Sequence, residues 1–74
     1  MIVKGHINSI EDVKRVSEVA SRQMFDIFLH TEDALVDAKT NLALYTLVGK
    51  DVDIVVEDNI NERIVKKIVN EMGI

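Results

Sequence analysis

The side chains able to do chemistry in this 74-residue chain are few: two histidines, no cysteine, and scattered hydroxyls and carboxylates. His6 stands in KGHINSIEDVKRV, a few residues ahead of a helix start, where an imidazole could accept a phosphoryl group or bind a metal. Ser9 and Thr40 carry hydroxyls at the entrances of two helical segments. A hydroxyl there caps free amides, and at Thr40 an attached phosphate would be tolerated by the same amides beside Lys39. His30 has no second donor that the pattern places near it, and a metal site needs several convergent ligands, so neither metal nor cofactor is expected. There is no glycine-rich phosphate loop, no Ser-His-Asp set and no shielded carboxylate pair, and so short a chain rarely encloses a substrate pocket. The residue types speak against an enzyme.

Those few groups must be held by a small scaffold. A composition of 47% hydrophobic and 30% charged residues is that of a globular protein, and residues 1–74 read as one domain. No apolar run approaches the roughly 20 residues needed to span a bilayer. The start MIVKGHI lacks a secretory pattern, so a cytoplasmic location is expected. Without cysteine there are no disulfides, and stability must come from packing. The formal charge of -4 repels phosphate backbones and anionic lipid, and the bases form no cluster beyond Lys66 and Lys67. A protein partner is expected, with neither nucleic acid nor membrane.

The elements follow from two alternating periods. IVKGHI reads as a strand; Ser9 as a hydroxyl cap, followed by Glu11 and Asp12, opens a helix whose apolar stripe is Ile10, Val13, Val16 and Ala20. Lys14, Arg15 and Glu18 take its wet side. FDIFLHTEDALVDA alternates around Glu32 and Asp33, which predicts a hairpin with Phe25, Ile27 and Leu29 on one face and Asp26, Phe28 and His30 on the other. Pairing Thr31 with Ala34 sends Val36 and Ala38 to the face of Leu29. TNLALYTLVG predicts a short helix ended by Gly49, with Leu44 and Leu47 inward and Leu42 and Tyr45 on another side. DVDIVVED is a strand burying Val52, Ile54 and Val56; Asn59 with Glu62 forms a variant capping box before a last helix with the stripe Ile64, Val65, Ile68 and Met72. The order is β-α-β-β-α-β-α, an α+β fold whose helices cover one sheet face and leave the other open.

On these segments the chain resembles the histidine-containing phosphocarrier (HPr) family of the bacterial sugar phosphotransferase system. The likeness spans nearly the whole chain and is strongest over FDIFLHTEDALVDAKTNLALYTL, which lies against the family's hairpin and short helix without a gap; VKRVSEVA resembles its first helix and NERIVKKIVNEM its last. The resemblance implies an open-faced β-sandwich with a four-stranded antiparallel sheet in the order 1-4-2-3 and three helices on one face.

The resemblance also implies where phosphate would sit. Carriers of this family have a Gly-Leu-His-Thr/Ala-Arg-Pro-Ala segment at the entrance to the first helix, with the histidine accepting the phosphoryl group and the arginine neutralising it. Here INSIEDV places Ser9 at the histidine position and Glu11 at the arginine position, and no proline opens the helix. Glu11 would repel the phosphate. His6 would need a shift of three residues to take the carrier's place, with no arginine before Arg15. Thr40 matches the serine that a regulatory kinase modifies in some relatives, and Leu42 and Tyr45 fall where relatives dock partners. By alternation the open sheet face carries Phe28, Leu35 and Val55 among Asp26, His30, Asp37, Asp53 and Glu57, a second contact surface suited to weak self-association or to a partner sheet or helix. The expectation is a non-catalytic HPr-like regulatory or docking domain; the alternatives are a diverged carrier using His6 and a kinase-controlled switch at Thr40.

Overall fold

The computed structural model describes residues 1–74 as four strands and three α-helices. Strand β1 (Ile2–His6) leads into α1 (Ile10–Ser21); β2 (Ile27–His30) and β3 (Leu35–Asp37) form the hairpin. A short α2 (Asn41–Leu44) runs into a 3-10 turn (Tyr45–Leu47), and β4 (Asp51–Val56) precedes α3 (Glu62–Met72). The sheet is antiparallel with the order β1-β4-β2-β3. This is the arrangement that the resemblance implied.

Period-2 alternation decides which face is covered. Ile54 opposes both Val3 and Leu29, and Leu29 opposes Val36, so these side chains form one row on the helix-covered side. Leu29 and Ile54 are fully buried there with Val13 and Val16 of α1, Leu44 of α2 and Val65 of α3. Each such side chain contributes about 1.5–3 kcal/mol through area removed from water, which is the main stabilising resource of a chain without disulfides. The hairpin closes as its alternation predicts, the Thr31 amide donating to the Ala34 carbonyl at 2.9 Å. Ala38 then donates to Ile27 and lies fully buried.

The helix starts and stripes need four corrections. Ser9 occupies the N-cap position of α1, yet its hydroxyl makes no capping bond; the side chain that reaches back to the entrance is Asp12. Thr40 is likewise an N-cap by position only. The last helix is capped by Asn61, whose side chain accepts from the Arg63 amide at 2.8 Å, so the Asn59–Glu62 box begins two residues too early. Ile10 and Ile64, assigned to buried stripes, are half exposed, each sitting in the first turn where the helix projects past the core.

Two termini of this frame fix the region around α1. The Gly49 amide donates to the Ile7 carbonyl at 2.6 Å and the Ile7 amide to Lys50 at 3.1 Å, which ties the end of the short helix to the segment just before α1. Gly49 has φ +85°, a left-handed conformation that suits glycine. At the other end Gly73 closes α3 with φ +68°, and the His6 amide donates to Ile74 at 2.9 Å, so the chain end returns along β1.

Candidate functional site

The entrance to α1, where the sequence resemblance implies an anion site, has its electrostatics set by Asp12. The Asp12 carboxylate accepts from the Asn8 amide at 2.7 Å. The Arg15 guanidinium donates to the same carboxylate through Nη2 and to the Met72 carbonyl through Nε at 2.7 Å. Asp12 is buried, and the Asn8 amide, then the charge of Arg15, hold its carboxyl below the usual carboxylate range against the opposing effect of burial. The Asn8 amide just ahead of the helix is therefore satisfied from within the chain, a carboxylate occupies the approach to the entrance, and the nearby arginine is engaged at the far end of α3. Glu11 stands exposed beside them. Sequence reading placed Asp12 among first-turn acids without seeing that it would turn back; an acid at the third helical residue is the signal for that turn.

His6 lies apart from this entrance, on the open sheet face, where its register partner across the ladder is Asp51. Its Nδ1 is 2.7 Å from Asp51 Oδ1, and its side chain is partly exposed. His30 is exposed on the same face, opposite Leu35 on one side and Asp53 on the other. The structure brings neither histidine to Ser9 or Arg15 by any hydrogen bond or ion pair. Lys4, His30, Glu32, Asp51 and Asp53 line a shallow open groove at that end of the sheet. No cluster of three metal-ligating side chains forms, and every buried side-chain nitrogen and oxygen has a partner.

The short helix behaves differently. Leu44 and Leu47 are buried, whereas Leu42 is 83% and Tyr45 37% exposed. Val48, just past the turn, and Ile10, at the start of the adjoining α1, are also partly exposed apolar residues. Ile10 and Val48 were not singled out as surface residues, since both fit a helical apolar period. The Thr40 hydroxyl is exposed and makes no hydrogen bond, and Lys39 precedes it.

With this geometry in view, a search of solved structures returns the crystal structure of HPr-C-His from Thermoanaerobacter tengcongensis, with a TM-score of 0.74 and 19% sequence identity over 100% of this chain and 97% of that one. No protein-family model matches the sequence, and no curated protein is similar to it at a significant level. The chain has the HPr-like fold: four antiparallel strands in the order 1-4-2-3 with helices on one face. No helix is long and apolar enough to cross a membrane.

Proposed function

We propose that this chain is a non-catalytic, HPr-like adaptor of the cytoplasm that acts by docking to a regulatory or phosphotransfer protein. The observation that carries the reading is the Asp12 carboxylate bonded to the Asn8 amide in the entrance where a phosphocarrier needs an open, positive pocket. A phosphoryl group brought there would meet two acids, Glu11 and Asp12, and displace Arg15 from the Met72 carbonyl. The docking surface is the exposed edge of the short helix, Leu42 and Tyr45, extended by Ile10 and Val48. The test is incubation with phosphoenolpyruvate and the general phosphotransferase enzyme of the host, followed by intact mass. Unchanged mass is expected; stoichiometric, acid-labile phosphate on His6 or His30 overturns the reading.

A second reading, a diverged carrier using His6, is favoured by the Asp51 carboxylate at 2.7 Å from Nδ1, since a carboxylate on one ring nitrogen orients the other for attack. It predicts phosphate uptake that His6→Ala abolishes without loss of fold. A switch through Thr40 is supported by its free, exposed hydroxyl beside Leu42, and it predicts a change in partner affinity when that hydroxyl is phosphorylated.

A further inference from the structure

The sheet register arranges the uncovered face in rows. Ile2, Val55 and Phe28 oppose one another across β1, β4 and β2, with Asp37 at the end of the row; the next row holds Lys4, Asp53, His30 and Leu35. Ile2 is 66% and Leu35 64% exposed, and Phe28 and Val55 are only partly covered, so the centre of the face is an apolar strip without a protein layer over it. Asp26 and Glu57 continue the alternation one residue beyond β2 and β4, and Asp51 sits at the far end opposite His6.

The border of this strip is acidic. Asp37, Asp51 and Asp53 lie on this face in the ladder, Asp26 and Glu57 flank it just beyond the strands, and Lys4 is the one base in these rows. The single lysine is itself paired with Asp53, 3.4 Å away. A second copy would bring one acid-bordered strip against another, and like charges facing across a contact are costly. Nucleic acid is repelled for the same reason.

We propose that the open sheet face is a second docking surface, distinct from the short helix, whose occupant is a protein segment with an apolar stripe bordered by lysine or arginine. Ile2, Phe28, Val55 and Leu35 receive the stripe, and the five carboxylates select the basic border and steer its approach. Each part has its own role: apolar contact sets the lifetime of the complex, and the acids set partner choice and the rate of encounter.

The probe is an amphipathic peptide of alternating leucine and lysine, compared with its leucine-glutamate counterpart, added to the isotope-labelled full chain and followed by NMR amide shifts. The lysine peptide is expected to shift residues of β1, β2 and β4 around Ile2, Phe28 and Val55, and the glutamate peptide to shift none. Leu35→Ser, at an exposed position that leaves the core intact, and the triple change Asp26→Asn, Asp37→Asn, Asp53→Asn are each expected to weaken binding by about tenfold. Equal binding of both peptides, shifts confined to α2, or self-association that Leu35→Ser abolishes would each overturn the proposal, the last because the occupant would then be a second copy. Since the measurement reads the sheet face, its failure leaves the short-helix reading standing.

Discussion

The Asp12 carboxylate accepts the Asn8 amide at 2.7 Å, four residues back along the chain, and so ties the segment ahead of α1 to its first turn. The pair is structural as well as electrostatic. Losing it leaves the Asn8 amide without its acceptor and the Arg15 guanidinium with the Met72 carbonyl alone, so Asp12→Ala is expected to destabilise the fold by about 2 kcal/mol in chemical denaturation.

The same carboxyl has a pH signature. Its acidity is raised by the fold, so its contribution is present in full above the ordinary aspartate range and is lost as pH falls through the depressed folded value, that is, below about pH 4. Asp58, held low by the hydrogen bond and charge of the Met1 ammonium, adds a component of the same sign. Thermal melts are expected to fall steeply below about pH 4 in the native protein and less steeply in Asp12→Asn, which keeps only the Asp58 part. Parallel curves for the two proteins would show that Asp12 is not linked to folding.

Arg15 joins this entrance to the end of α3, and Gly73 is the residue that makes room for it. A Cβ at Gly73 would lie 3.1 Å from Arg15 Nε on a backbone already at φ +68°, whereas one at Gly49, φ +85°, would meet nothing within 4 Å. Gly49→Ala is thus expected to cost the conformational penalty alone, about 1 kcal/mol, and Gly73→Ala more. In an Arg15→Ala background the excess at Gly73 is expected to vanish, a double-mutant cycle readable by urea unfolding. Persistence of the excess would mean that the crowding lies elsewhere.

Much of this architecture is legible in the sequence because alternation is a strong signal when one face is buried. Ile27 and Leu29 point inward and Phe28 and His30 outward, and a slip of one residue would reverse all four. The helix entrances were misread for the opposite reason. Ser9 and Thr40 have the right chemistry for caps, but a cap bond depends on a side-chain rotamer and on competing acceptors, which spacing does not encode. At α1 the side chain that bonds back is Asp12, to the Asn8 amide, and near α3 it is Asn61 rather than Asn59 that accepts. Ile10 and Ile64 fit a helical period yet lie in first turns that overhang the core, so periodicity assigned them a burial that tertiary position denies. The pairing of His6 with Asp51 needed the β1–β4 register, which links residues far apart in the chain.

That pairing is on the surface, with Asp51 almost wholly exposed. His6→Ala is therefore expected to change stability by less than about 0.5 kcal/mol, since exposed pairs contribute little once solvent and salt screen them. The consequence is practical. The variant stays folded, so its mass after exposure to phosphotransfer enzymes separates the adaptor from the carrier without ambiguity from unfolding. A loss above about 1.5 kcal/mol in urea would show that the imidazole has a structural role that the exposed geometry does not convey.

The short helix offers the sharpest contrast, because Leu42 and Leu44 are two residues apart and oppositely placed. Leu44 is fully buried against α1 and the hairpin side of the core, and Leu44→Ala removes a packed side chain and leaves a cavity, at a cost of about 3 kcal/mol. Leu42 is 83% exposed, and Leu42→Ala is expected to alter stability by less than about 0.5 kcal/mol. If the helix edge docks a partner, the ranking reverses in binding: Leu42→Ala and Tyr45→Ala each weaken a complex by about tenfold while the free protein melts as before. Urea unfolding and titration calorimetry on the same variants check both halves. A Leu42→Ala protein as unstable as Leu44→Ala would place Leu42 in the core and remove the short helix as a docking edge, because one side chain cannot both fill the interior and stand free for a partner.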